Sequence, residues 1–173
     1  NDFVWLLYWF WSQTNDDWEH CYGVSFKVNT DCKWELDIDL AETALANLDS
    51  LKLVREVHGQ VLDLALSKDK FTGTVDLLSL FGAIEAFRIN SEPYCEITHV
   101  VDKLELNDAP FVNLVRWYEK EICTYDILNR IEITTLDNPG WFLKVNLKGT
   151  KFEKAFFPQK KELRSENNWI VCN

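Results

Sequence analysis

Two ten-residue segments of the chain share one alternating pattern of apolar and other residues. The first runs from Trp34 to Thr43 and the second from Trp141 to Thr150. In both, a threonine follows three places after the last leucine of the pattern. A period of two residues is typical of a β-strand with one buried face. The predicted inward pairs are Trp34/Trp141, Leu36/Leu143, Ile38/Val145 and Leu40/Leu147.

A second repeated pattern precedes each of these strands. Apolar residues recur at helical spacing in residues 2–13 and again in residues 111–118. The matched stripes are Phe3, Leu6, Leu7 and Phe10 in the first and Phe111, Leu114, Val115 and Tyr118 in the second. The first helix also has a second apolar face that the other copy lacks, made of Trp5, Tyr8 and Trp11. We expect this face to contact the other repeat, with an exposed partner-binding patch as the alternative.

This duplication predicts an α+β fold of two tandem repeats, each a helix plus an antiparallel β-sheet, with the second copy truncated. The first repeat spans residues 1–90, the linker residues 91–108 and the second repeat residues 109–173. Before the shared strands lie predicted strands near 21–28 and 127–135. In the second repeat the connecting turn is Leu136 to Gly140, where Asn-Pro-Gly is a strong turn signal.

The two copies differ in the elements that come after the shared strand. The first continues with predicted strands near 51–57 and 61–66, the residues Lys70-Phe71-Thr72-Gly73, and a helix near 75–88. On the inner side of that helix we expect Leu77, Leu78, Phe81, Ile84 and Phe87. The second copy offers only strands near 160–164 and 169–172. Because an uncovered sheet exposes apolar surface, we expect residues 91–108 or the helix of the first copy to cover it.

Charge is distributed unevenly along the 173 residues, whose formal net charge is −10. Residues 1–90 hold 15 acidic and 7 basic residues, whereas residues 109–173 hold 8 acidic and 10 basic residues. An acidic first half repels nucleic acid and attracts basic proteins. The 5 cysteines show no metal-binding spacing, which favours reduced thiols in a cytoplasmic protein. The chain contains no stretch of 18 apolar residues, so the sequence predicts no membrane-spanning helix.

Acidic residues also define the candidate binding surface. Glu35, Asp37 and Asp39 alternate with the inward residues of the first shared strand, so they should line its outer face. Their counterparts are Phe142, Lys144 and Asn146, so folding does not demand acids at these positions. They are either an ordinary solvated face or a docking surface for a basic partner. The predicted contact residues are Asp16, Asp17, Trp18, Glu19, Glu35, Asp37 and Asp39, with Trp18 as the best functional aromatic residue.

Catalytic chemistry has little support in the sequence. His20, His58 and His99 lie in different predicted elements, and no motif for a nucleophile, a phosphate loop or a zinc protease is present. Glu19 and His20 are adjacent, and adjacent residues on a strand point to opposite faces. Three carboxylates along one strand do not surround a calcium ion as a loop does. We expect no enzymatic activity, no metal and no cofactor.

Three stretches of the chain have the form of family motifs. In the first repeat the stretch is Asp17-Trp18-Glu19-His20-x-Tyr22-Gly23. In the second repeat the stretches are Thr135-Leu136-Asp137-Asn138-Pro139-Gly140-Trp141 and Arg164-Ser165-Glu166-Asn167-Asn168-Trp169-Ile170. Together they resemble the immunity protein 53 family of bacterial polymorphic toxin systems. Each repeat keeps motifs that the other has lost, and the likeness covers residues 3–90 and 111–173 but not the linker.

The resemblance implies a cytoplasmic antidote that binds a cognate toxin domain and blocks it by stoichiometric protein–protein inhibition. A basic toxin such as a nuclease would suit the acidic first half of the chain. The alternative is a small-ligand or carbohydrate-binding module that uses exposed tryptophan residues, of which the chain has 8 in total.

Overall fold

The computed structural model describes most of the chain. The described residues are 2–46, 48, 51–57, 60–95, 97, 109–122, 131–165 and 168–172. The sequence predictions that fall outside them concern His58, the linker residues 96 and 98–108 with His99 among them, the strand residues 127–130, and residues 166 and 167.

Each repeat begins with a helix and continues with strands. The first repeat contains α1 (Asp2–Gln13), α2 (Trp18–Cys21), β1 (Val24–Val28), β2 (Lys33–Asp39), β3 (Leu51–Val57), β4 (Gln60–Leu66), β5 (Lys70–Asp76) and α3 (Leu80–Ser91). The second contains α4 (Ala109–Ile122), β6 (Ile131–Leu136), β7 (Gly140–Val145), β8 (Lys160–Ser165) and β9 (Asn168–Cys172). No helix in this described part of the chain is long and apolar enough to cross a membrane.

One antiparallel sheet contains strands from both repeats. Its order is β3-β4-β5-β2-β1-β6-β7, and β8 and β9 form a separate two-stranded sheet. The repeats join where β1 pairs with β6, with Phe26 opposite Ile133 and Lys27 opposite Glu132. The predicted α+β class with antiparallel sheets is therefore confirmed.

The predicted inner face of β2 forms the centre of the core. Trp34, Ile38 and Leu40 have no exposed surface, and Leu36 is 3% exposed. Phe26 of β1 and Phe71 of β5 flank them and are equally buried. Burial of large apolar side chains is the main stabilising contribution to such a fold.

Aromatic residues of α1 join the two repeats. Phe3 stacks on Phe111 of α4 with 5.0 Å between ring centroids, and Phe10 meets Trp141 of β7 at 5.5 Å. The expectation that Trp5, Tyr8 and Trp11 form this interface is wrong for Trp5, whereas Tyr8 and Trp11 line cavities together with Pro139 and Trp141 of the second repeat. Trp5 is buried against Phe87 of the first repeat's own α3, and Trp11 is 64% exposed.

The closing helix of the first repeat starts later than the apolar pattern suggested. β5 continues to Asp76, a 3₁₀ turn follows at Leu77–Ser79, and α3 begins at Leu80. Leu78 lies in that turn and is 49% exposed, so its predicted inward position is wrong. Ile84 and Phe87 are fully buried as predicted. The spacing placed the helix correctly but could not separate it from the preceding turn.

The repeated threonine makes the same turn in both repeats. The Thr43 hydroxyl donates to the Leu40 carbonyl at 2.7 Å and accepts the Leu45 amide at 3.1 Å. The Thr150 hydroxyl does the same with the Leu147 carbonyl and the Phe152 amide, at 2.7 and 3.1 Å. These side-chain bonds turn the chain as it leaves the shared strand.

Candidate protein-binding face

The acidic residues of β2 lie on the outer face of the sheet, as the alternation predicts. Glu35 is exposed, whereas Asp37 and Asp39 are half-buried. Lys70 of β5 holds both aspartates, with its Nζ 2.7 Å from Asp37 Oδ1 and 3.2 Å from Asp39 Oδ1. The hydrogen bond to Asp37 raises the pKa of Lys70. This lysine therefore neutralises part of the acidic strip and leaves Glu35 as its most accessible carboxylate.

Asp39 also supports the fold. Its Oδ2 accepts the Gly23 amide at 2.9 Å, and its own amide donates to the Gly23 carbonyl at 2.9 Å. A Cβ at Gly23 would overlap the Thr135 hydroxyl, which itself accepts the Val24 amide at 2.9 Å. Asp39 thus fixes the start of β1 against the second repeat, so a variant at this position would change stability as well as charge.

A shallow cleft of about 250 Å³ lies on this face. Asp37 and Asp39 line it together with His20 and with Thr134 and Thr135 of the second repeat. Sequence reasoning missed the threonines and Lys70, because strand pairing between distant segments brings them to β2. In the sequence, these residues are marked only as polar positions on predicted strands, which does not show that they lie near β2.

The loop before α2 is held by its own side chains. The Asn15 side-chain oxygen accepts the amides of Asp17 and Trp18 at 3.1 and 2.9 Å. The Glu19 carboxylate accepts the amides of Asn15 and Asp16 at 2.9 and 3.1 Å. Asp16 has a φ of 72°, which is the left-handed region that aspartate tolerates better than most residues. The loop displays Asp16 and Asp17, which are both exposed.

Glu19 and His20 both line the cleft, but Glu19 is engaged with the backbone. Both of its carboxylate oxygens accept loop amides, and the residue is only 6% exposed. Desolvation acts to raise its pKa, but the backbone hydrogen bonds together with His20 outweigh it, and the pKa is lowered. Glu19 is therefore a carboxylate that holds the loop in place.

Replacing Glu19 by glutamine tests this role through pH. A carboxylate whose pKa is lowered by folding stabilises the folded state above its unfolded pKa, and the effect disappears as pH falls through the folded pKa. We expect the variant to be less stable than the parent chain at pH 7, with a gap that shrinks below pH 4.5, the ordinary value. Urea unfolding at several pH values measures this, with Glu119→Gln as the exposed control. A gap that stays constant down to pH 3 would contradict the assignment.

Trp18, the aromatic residue that the sequence favoured for a functional role, is a core residue. It is 2% exposed, and its indole N–H donates to the Ala41 carbonyl at 2.8 Å. Its ring meets those of Trp9, Phe10 and Tyr22 at centroid distances of 6.2, 6.1 and 5.7 Å. Because polar residues precede Trp18, the local sequence does not indicate that its side chain points into the core.

Trp11 is the exposed aromatic residue near the acidic loop. It borders a cavity of about 380 Å³ that Thr14, Asp16, Asn138, Trp141 and Trp169 also line. A neighbouring apolar cavity of about 260 Å³ continues from Trp11 to Leu7, Tyr8, Phe10, Pro139 and Trp141. The counterpart of Trp11 is Glu119, so this large aromatic side chain is not part of the shared fold. That difference was the signal in the sequence.

The described residues thus define an α+β protein made of two related units that share one sheet. The acidic outer face belongs to the first unit. The chain belongs to the immunity protein 53 family, whose model matches residues 3–92 and 111–173. The two matched segments agree with the two repeats of the sequence. Searches of curated proteins and of solved structures gave no match.

Proposed function

We propose that this chain binds a cognate bacterial toxin domain in the cytoplasm and neutralises it by stoichiometric inhibition. The observation that carries the proposal is the acidic outer face of β2. Glu35 is exposed there and Asp37 is half-buried in an ion pair with Lys70, while the same positions of the second repeat hold Phe142 and Lys144. The second repeat folds without these carboxylates, so the fold does not require them. In a member of an immunity protein family, they are suited to recognition of a basic partner.

The proposed contact surface combines this strip with the loop before α2. Asp16 and Asp17 are exposed in the loop, and Asp39 borders the cleft beside Asp37. Buried Trp18 and Glu19 hold the loop from behind. Trp11 supplies an exposed aromatic anchor, the residue type that most often dominates binding energy at an interface. A basic toxin, such as a nuclease, would meet carboxylates where it binds its own anionic substrate.

The test uses the toxin domain encoded beside the gene for this chain. The two proteins, mixed at equal concentration, should elute as one complex, and light scattering should give its stoichiometry. The toxin's activity should fall in proportion to the added chain and vanish at the stoichiometric point. A toxin that remains active in the presence of excess chain would overturn the proposal.

A carbohydrate or other small polar ligand is the second candidate, and the Trp11 cavity favours it. Trp11 and Trp169 are 64% and 40% exposed, and Asp16 and Asn138 add polar groups beside them. Aromatic faces with adjacent polar groups are suited to a ring-shaped polar ligand. Titration with oligosaccharides should then change tryptophan fluorescence, and Trp11→Ala should abolish the change. A flat titration would remove this candidate.

A further inference from the structure

A row of charged side chains crosses the outer face of the large sheet from the first repeat into the second. In the strand register, Lys27 of β1 lies opposite Glu35 of β2 on one side and opposite Glu132 of β6 on the other. Side chains of directly opposite residues point to the same face, with their Cβ atoms about 4.5–5.5 Å apart. Lys27 is therefore within reach of two carboxylates, one in each repeat.

Lys27 pairs with the carboxylate of the second repeat. Its Nζ lies 3.0 Å from Glu132 Oε1. The Glu132 side chain is only 25% exposed, so its attraction for the lysine is less screened by solvent than that of the exposed Glu35. Glu35 accepts the Asn29 side-chain amide at 3.1 Å and makes no ion pair within the described part of the chain.

Two other lysines show what an opposite lysine does on this sheet. Lys70 of β5 lies opposite Asp39 in the register and its Nζ is 3.2 Å from Asp39 Oδ1. Lys33 of β2 lies opposite Asp76 of β5, with 3.7 Å between Nζ and Oδ1. A lysine opposite Glu35 is thus in position to neutralise it, unless another acid holds that lysine.

We propose that Glu132 is a positioning residue, which holds Lys27 and thereby keeps Glu35 free for a cation of the partner protein. This inference rests on the proposed function, because it concerns the same acidic strip. The second repeat then contributes to recognition through one carboxylate that does not itself contact the partner. Without Glu132, Lys27 would pair with Glu35 and neutralise the most accessible carboxylate of the strip.

A set of variants measured against the toxin domain tests this role. Glu132→Gln should weaken binding about tenfold in 50 mM salt, the size of effect expected when one close charge pair is lost. Adding Lys27→Met to that variant should restore the affinity to within about threefold of the parent. The double variant has the net charge of the parent chain and again leaves Glu35 free, so calorimetric titration of the toxin should show the rescue.

Two controls separate the local exchange of ion pairs from net charge. Lys144 lies opposite Glu132 on β7, on the side away from Lys27. Lys144→Met added to Glu132→Gln also restores the net charge but leaves Lys27 beside Glu35, so it should not restore binding. Glu119→Gln on α4 changes the charge as Glu132→Gln does and should stay within about threefold of the parent.

A readout without the toxin checks the ion pair directly. A crystal structure of the Glu132→Gln variant should place Lys27 Nζ within about 4 Å of a Glu35 carboxylate oxygen, the distance of an ion pair. The inference is overturned if Lys27 stays away from Glu35 in that structure. It is also overturned if Glu132→Gln binds the toxin as the parent does, or if Lys144→Met rescues binding as well as Lys27→Met.

These measurements keep the two proposals apart. A parent chain that does not bind the toxin contradicts the proposed function, and the exchange of Lys27 between the two glutamates is then judged by the crystal structure alone. A parent chain that binds the toxin, with an unaffected Glu132→Gln variant, contradicts only the role of Glu132.

Discussion

Replacing Trp18 by alanine is expected to lower the free energy of unfolding by about 3–5 kcal/mol, the range for truncation of a large buried aromatic side chain. The residue is 2% exposed and packs against Trp9, Phe10 and Tyr22. Truncation leaves a cavity among these rings and removes the donor to the Ala41 carbonyl. Both losses act on the folded state, so urea unfolding should show the full effect.

Trp11→Ala is the matched control for this prediction. Trp11 is 64% exposed, so its truncation should change stability by less than about 1 kcal/mol. Trp18→Phe adds an intermediate case, because it keeps an aromatic ring but loses the hydrogen bond to Ala41. The expected order of stability is parent, Trp11→Ala, Trp18→Phe and Trp18→Ala. Equal stability of the Trp11 and Trp18 alanine variants would contradict the assignment of Trp18 to the core.

The contrast between these tryptophans marks the limit of sequence reasoning about the core. Alternation along β2 correctly buried Leu36 and Ile38, because a period of two depends only on local geometry. Trp18 follows three polar residues, and its burial depends on Ala41, which lies 23 positions away. No local pattern contains that contact.

The same limit applies to the second repeat. The pattern that buries Leu36 is present around Leu143, yet Leu143 is 53% exposed. Alternation determines which face of a strand a residue occupies, and only a neighbouring element decides whether that face is covered. The alternation around Leu143 therefore gives the direction of its side chain but not its burial.

The sequence predicted which acidic residues lie on the candidate binding face, but not which of them are already paired within the chain. Alternation placed Glu35, Asp37 and Asp39 on the outer face, where the structure has them. It could not show that Lys70, 33 positions after Asp37, returns to pair with it. Nor could it show that Asp39 accepts a backbone amide. Because Asp39 also holds a backbone amide, neutralising Glu35 and Asp37 is a cleaner test of binding than neutralising all three acids.

Neutralising these two acids together, as Glu35→Gln with Asp37→Asn, is expected to weaken toxin binding about tenfold to a hundredfold. If the toxin is basic, the strip steers its approach and pairs with its cations after docking, and both effects depend on charge. The loss should be large in 50 mM salt and smaller in 500 mM salt, because salt screens exposed charges. Stability should change by less than about 1 kcal/mol, since both carboxylates are at least partly exposed.

Glu119→Lys is the control for net charge, because it changes the charge of the chain by the same two units. Glu119 is exposed on α4, outside the proposed contact surface. Binding of the toxin to this control should stay within about threefold of the parent at both salt concentrations if the acidic strip acts locally, since general long-range attraction is screened by salt. Equal losses in the control and the double variant would mean that net charge alone governs binding. The face of β2 would then have no special part in recognition, and the loop of Asp16 and Asp17 with Trp11 would become the surface to test.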